Sequence, residues 1–426
     1  MCRNKCTTGS MRFVEALGSC SLLPVFLQLL LPSCGDAHGS LVFPASRNAV
    51  DRFLPPFLNG QSPQTPCTCP NNGTRGPGGD HGSLPCDQGR RALAGGQPCL
   101  WWSQGCTIGC PSCDGVNTQS HGASLCANPT TAPTLPRWAW TMNVGLAEGE
   151  EDIYKFHPWR APGSAPVADP CGMAGGTAPS HGGGGADAVF TNTSLARFGQ
   201  LGSEVLPYAP SGTVWLAGSS VEVGWAIRYN HGGGYQYRLC PKPAAGEALT
   251  EACFQRTPLA FDRTKQALMW NNGTRLALPG RWVDEGVRPA GSTWAVNPVP
   301  RMGEESAGCL ARNASFPLRN GCVSFAPPCP QDCSGQPNCT TAGHKTGGNT
   351  VQGACSGDWT GGQIVDTLLI PNTLPAGEWV LGWRWDCEET TQIWQSCADV
   401  TICVPGEECN PPAPYKPPAA PSPPPS

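Results

Sequence analysis

Apolar and polar positions alternate with a period of two along Val221-Glu222-Val223-Gly224-Trp225-Ala226-Ile227-Arg228-Tyr229. The odd positions are large and β-prone while the even ones are small or charged, as in a strand with one face against a core. Gly232-Gly233-Gly234 follows, and Tyr235-Gln236-Tyr237-Arg238-Leu239 then alternates again. Two alternating runs around a glycine connection predict a hairpin. The same period recurs in Trp379-Val380-Leu381-Gly382-Trp383-Arg384-Trp385, with Trp379, Leu381, Trp383 and Trp385 sharing a face. No stretch carries a helical period, and 54 glycines and 46 prolines imply short strands joined by long loops. The pattern predicts an all-β protein: an antiparallel sandwich of immunoglobulin or fibronectin-III type with long, disulfide-stapled loops.

Three segments break the alternation. Residues 11–37 open on Met11-Arg12, pass through an apolar run from Leu22 to Leu31 and end on Gly35-Asp36-Ala37. A short charged start, a run too short to span a bilayer and small residues at the last and third-last positions predict a signal peptide, here residues 1–37, cleaved after Ala37. Residues 66–126 hold eight cysteines and almost no periodicity. They read as a disulfide-bonded excursion; the spacing Cys106, Cys110, Cys113 also suits zinc, but export favours disulfides. From about Pro405 the chain is proline-rich, so residues 405–426 are expected as an extended tail and residues 38–404 as the folded domain.

Composition narrows the function. A net charge of −4 gives no basic field for nucleic acid, and no later segment is long and apolar enough for a membrane helix. The expectation is a secreted monomer. Of 25 cysteines, Cys2, Cys6, Cys20 and Cys34 fall in the leader, which leaves an odd number in a disulfide framework. Asn72, Asn192, Asn272, Asn313 and Asn338 each begin an N-x-S/T glycan acceptor.

Cleavage after Ala37 would make His38 the N-terminus. A terminal histidine offers one metal ion two nitrogens, its α-amine and its ring, and that chelate cannot exist while the peptide bond to Ala37 is intact. His231 follows the alternating strand on the core parity and reads either as a turn cap or as a second ligand. His81, His121, His157, His181 and His344 lie in Gly-, Pro- or Ser-containing loops and read as surface residues. Trp101-Trp102 reads as a sugar-stacking pair or as core. Glu388-Glu389 reads as a solvated turn. No Ser-His-Asp order, phosphate loop or paired-carboxylate glycosidase signature stands out.

The mature His38-Gly39, the run Asn230-His231-Gly232-Gly233-Gly234-Tyr235 and Gln392-Ile393-Trp394-Gln395-Ser396-Cys397 occur in this order behind the leader. Together they resemble the copper-dependent lytic polysaccharide monooxygenases, particularly the group sharing the chitin-binding type-4 domain. Residues 98–106 and 162–172 are similar to eukaryotic members of that group. The resemblance covers the chain from about His38 to Ile402. It implies copper held by His38 and His231, an external electron donor, and oxidative cleavage of a β-linked polysaccharide, chitin or cellulose. It also implies an axial neighbour at Trp394, or at Ile393 if the register slips by one, where many members carry Tyr or Phe. Gln392 matches an amide that hydrogen-bonds the activated oxygen species; its other reading is a solvated strand-edge residue. The alternative function is a non-catalytic copper- or carbohydrate-binding protein of the same fold.

Overall fold

The computed structural model describes residues 38–54, 97–103, 115, 157–177, 190–229, 232–270, 275–298, 362–388 and 390–416. Their strands are β1 (His38–Phe43), β2 (Trp101–Ser103), β3 (Met173–Ala174), β4 (Pro210–Leu216), β5 (Ser220–Tyr229), β6 (Gly234–Pro241) and β7 (Ala260–Trp270). The series continues with β8 (Arg275–Leu278), β9 (Trp282–Val283), β10 (Trp294–Val296), β11 (Gly362–Leu369), β12 (Gly377–Asp386) and β13 (Ile393–Cys403). Helix among the described residues is limited to the four-residue α1 (Gly202–Val205) and α2 (Glu251–Phe254) and to 3-10 turns at Arg47–Phe53 and Pro158–Arg160.

These strands build an all-β sandwich. A five-stranded sheet runs β1-β5-β11-β7-β8, and an eight-stranded sheet runs β3-β2-β13-β12-β6-β10-β9. The extra strand β4 lies parallel to β13, whereas the neighbours along each sheet run antiparallel. Trp225 of the first sheet meets Trp383 and Trp385 of the second, with ring centroids 5.0 and 5.2 Å apart. All three are fully buried. Taking each such side chain out of water contributes roughly 1.5–3 kcal/mol, so the inter-sheet layer of indoles is a principal source of stability.

The expected hairpin is not formed. β5 pairs with β1 and β11, whereas β6 pairs with β12 and β10, so the chain passes from one sheet to the other between Tyr229 and Gly234. Gly232 and Gly233 take φ of 61° and 74°, a backbone that favours glycine, and their carbonyls accept from Trp385 Nε1 and the Asn297 amide, each at 2.8 Å. Alternation states that a strand has a buried face; it does not state which strand lies beside it.

β12 is buried on both faces. Beyond the tryptophan face, Val380, Gly382 and Arg384 are also buried. A Cβ on Gly382 would come within 2.8 Å of the Phe254 ring on α2. Arg384 donates Nη2 to the Ala165 carbonyl at 3.0 Å and Nε to Asp386 at 2.6 Å. Glu251 of α2 pairs with both Arg238 and Arg384. Burial alone would raise the Glu251 carboxyl, but the two guanidinium groups outweigh it and hold it at about 2.

Disulfides tie loops to this frame: Cys171 to Cys397 of β13, Cys240 of β6 to Cys253 of α2, and Cys403 to Cys409. Of the excursion at 66–126, Cys99 is disulfide-bonded, and the other cysteines lie outside the described residues. Beyond β13 the described chain runs to Lys416; the Tyr415 amide donates to the Pro210 carbonyl at 2.8 Å, and Pro414 lies over Gly212.

Candidate functional site

β1 opens at His38, whose Cα stands opposite Tyr229 at the end of β5. The His38 side chain and the whole of His231 lie outside the described residues, so the site is built from what flanks them. A Cβ on Gly39 would reach 3.0 Å from Trp385 Cζ3, 3.1 Å from Trp385 Cε3 and 3.2 Å from the Ala226 carbonyl. Trp385 Nε1 in turn donates to the Gly232 carbonyl at 2.8 Å. One indole thus touches the residue after His38 and the residue after His231.

The end of β12 continues this surface. Residues 233 and 234 lie against it and its neighbours: a Cβ on Gly233 would strike the Asp386 carbonyl, and one on Gly234 would strike the Trp159 ring. The Trp159 amide donates to the Cys387 carbonyl at 3.2 Å, and the Cys387 amide donates to the Gln392 carbonyl at 3.2 Å. The turn between β12 and β13 therefore places Gln392 beside the chain that follows His231.

Gln392 and Trp394 are both fully buried. The solvated reading of Gln392 is therefore corrected: its Oε1 accepts from Thr390 Oγ1 at 3.2 Å inside the β12–β13 turn. Trp394 pairs in register with Trp385 and with Trp102, and its ring lies 4.5 Å from that of Trp102. Consecutive strands here point their indoles to one face, the inter-sheet face. Ile393, the alternative if the register slips, points to the other face and packs with Ala161 and Ala165. Trp394 thus stands in register with Trp385, the indole that meets Gly39.

One open pair of readings is resolved and two expectations change. Trp101 and Trp102 are buried, Trp101 edge-on to Phe190 at 5.4 Å, so they are core rather than a sugar platform. Glu388 is fully buried rather than in a solvated turn. His157, read as a surface residue, is half-buried with Nδ1 2.6 Å from the Glu388 carbonyl. A carbonyl only accepts, so Nδ1 carries the proton in this contact. The signal for His157 was the apolar Trp159 two residues on, which anchors the segment. The remaining loop histidines, His81, His121, His181 and His344, lie outside the described residues.

Away from this end, the sandwich interior holds a polar group. Asp366 of β11 accepts from Gln266 Nε2 at 2.9 Å and from the Tyr237 hydroxyl at 3.2 Å. Burial pushes its carboxyl up to about 6, against the pull of these bonds. The phenols of Tyr235 and Tyr237 are pushed well above their usual range, first by burial and then by the Asp366 charge. Among the described residues, His, Cys, Asp and Glu form no group of three that could hold a metal, and no helix is long and apolar enough to cross a membrane.

No family model matches the chain. Among solved structures it is similar to an AA15 lytic polysaccharide monooxygenase from Thermobia domestica in the Cu(I) state, with 14% identity over 45% of this chain and 62% of that one, at a TM-score of 0.20. A chitin-binding domain from Burkholderia pseudomallei matches with 12% identity over 45% and 56%, at 0.21. An AA10 lytic polysaccharide monooxygenase from Streptomyces lividans matches with 10% identity over 46% and 60%, at 0.19. This chain spans less than two thirds of the length of each. At such identity and overlap the reading of the site rests on its own residues.

Proposed function

We propose that the protein is a secreted, copper-dependent monooxygenase that oxidatively cleaves a β-linked polysaccharide, chitin or cellulose, with His38 and His231 as its metal ligands. The supporting observation is Trp385: the residues next after the two histidines, Gly39 and Gly232, both meet this one indole. A backbone arranged in that way suits a ligand set shared between the first strand and the β5–β6 crossing. The set would comprise the α-amine freed by cleavage after Ala37 and two imidazoles. All-nitrogen donors of this kind suit copper and leave coordination positions open. Bound copper would supply one-electron chemistry with oxygen or peroxide, fed by an external electron donor.

The chain's own residues do the rest. The His38 amine, with an ordinary pKa of about 8, must be deprotonated to bind, which metal competition makes attainable at neutral pH. Gln392 holds an amide in a fixed orientation at the β12–β13 turn. Trp394 and Trp102 fill the space beneath and keep water out of the sandwich end.

The test takes the secreted full chain, determines its first residue by mass spectrometry, and titrates copper by calorimetry. The copper-loaded protein is then given chitin or cellulose with a reductant. A chain beginning at His38, one tight copper site lost in His38→Ala and His231→Ala, and oxidised oligosaccharides are expected. A chain beginning elsewhere, or no copper site, overturns the proposal. The burial of Trp394 against Trp102, where the family resemblance places Tyr or Phe, favours a second reading: a binding protein without turnover. Tight copper without oxidised products is the result that selects it.

A further inference from the structure

The loop 190–200 is held at both ends. The Thr191 carbonyl accepts from Gln97 Nε2 at 2.7 Å, while the Gly199 amide donates to the Ala174 carbonyl of β3 at 2.7 Å. Between these anchors lies a tight turn. Thr193 Oγ1 accepts from the amides of Leu195 and Ala196 at 3.2 and 3.1 Å, and the Thr193 amide donates to the Ala196 carbonyl at 2.8 Å. Asn192 stands immediately before the turn, and its Oδ1 accepts from the Phe198 amide at 2.8 Å. Asn192 and Ser194 are both exposed.

We propose that Asn192 is a modification site that carries an N-linked oligosaccharide in the exported protein. Asn192-Thr193-Ser194 is an acceptor triplet, and among the five triplets in the chain it is the one that falls within the described residues. A carboxamide is planar, with its oxygen and nitrogen on opposite sides of one carbon. Fixing Oδ1 on the Phe198 amide therefore directs Nδ2 of this exposed side chain to the other side. Linking a sugar to Nδ2 leaves the Oδ1 acceptor in place, so the loop keeps its bond when modified. The third residue of the triplet supplies the hydroxyl that the transfer requires. The turn spends the Thr193 hydroxyl on its own amides and leaves that of Ser194 at the surface.

The group transferred comes from an oligosaccharide joined through a diphosphate to a membrane polyisoprenol. A bond forms from Nδ2 to the anomeric carbon, the bond from that carbon to the diphosphate oxygen breaks, and Nδ2 gives up one proton. The polyisoprenyl diphosphate leaves, and nothing is oxidised or reduced. The inference rests on export through a glycosylating compartment and is independent of copper.

The experiment expresses the full chain in a eukaryotic secretory host and collects the medium. Peptides are mapped before and after amidase deglycosylation in heavy-oxygen water. An occupied Asn192 peptide is expected, with label appearing at that position after deglycosylation. Asn192→Asp and Ser194→Ala should both lose the glycan. Asn192→Asp retains an acceptor for the Phe198 amide, so its melting temperature should match that of deglycosylated protein. Secreted protein with an unmodified Asn192 overturns the proposal, and so does a chain retained in the cytosol, which never meets the donor. Neither result bears on the copper titration.

Discussion

Gln392 offers two oxygens to the turn that carries it, the side-chain one to Thr390 and the backbone one to the Cys387 amide. Gln392→Ala removes the first and leaves the hydroxyl of the half-buried Thr390 to water. Losing such a bond costs about 0.5–1.5 kcal/mol, to be read as a lower urea midpoint. Because an amide is no copper ligand in the proposed set, copper affinity should stay unchanged while oxidised product falls. A variant that loses affinity and product together would place Gln392 in the ligand set instead. Gly39 gives a second residue-scale prediction. Trp385 cannot swing away from a new Cβ at position 39, because its Nε1 is tied to the Gly232 carbonyl. Gly39→Ala should therefore destabilise by about 1–3 kcal/mol through overpacking and weaken copper binding as well. Copper binding equal to that of the parent would break the link between Trp385 and the two histidines.

At the scale of elements, β5, β6 and β12 are legible in the sequence because period-two alternation fixes which side chains face a core. Their partners are not legible. The Gly232-Gly233 bend serves a crossing between layers as readily as a hairpin, and the choice is made by β1, β11, β10 and β12, all distant in the chain. The second buried face of β12 was hidden for a related reason. Gly382 and Arg384 look outward in sequence, yet Phe254 covers the glycine and Asp386 and Glu251 neutralise the arginine. Of the candidate site, Gln392 and Trp394 enter through the family resemblance alone, whereas the burial of Glu388 and His157 depends on packing that no local pattern records. Disulfide pairing is likewise a tertiary fact, and it carries a graded prediction. Cys240–Cys253 closes a separation of 13 residues and Cys171–Cys397 one of 226. Restriction of the unfolded chain by the shorter loop contributes about 3 kcal/mol and by the longer about 5 kcal/mol. Alanine pairs at 171 and 397 should therefore lower the urea midpoint more than pairs at 240 and 253. The reverse order would assign most of the stabilisation to the local packing of α2.

For the molecule as a whole, buried carboxylates set the pH at which it is most stable. Burial raises Asp51 from 3.8 to about 7, and raises Asp169 and Asp366 from 3.8 to about 6. Each binds its proton more tightly folded than unfolded, so its stabilisation is complete below 3.8 and is lost as the pH rises through 6 to 7. Glu251 runs the other way: with its folded value lowered from 4.5 to about 2, its contribution is complete above 4.5 and is lost as the pH falls towards 2. The three raised carboxyls outweigh Glu251 until the pH nears 3.8, so the urea midpoint should rise from pH 8 to about pH 4 and fall again below about pH 3. Asp366 alone contributes about 3 kcal/mol once the pH has fallen from 6 to 3.8, and about 1.4 kcal/mol of that by pH 5, at 1.36 kcal/mol for each unit of pKa. Asp366→Asn isolates it: the amide oxygen can accept from Gln266 while the amide nitrogen donates to the Tyr237 hydroxyl, and no charge is buried at any pH. That variant should be at least as stable as the parent at pH 8 and should show a shallower rise on acidification. A parent midpoint that falls steadily from pH 8 to 5 would mean that these carboxyls remain ionised in the folded state, held by water reaching the sandwich interior.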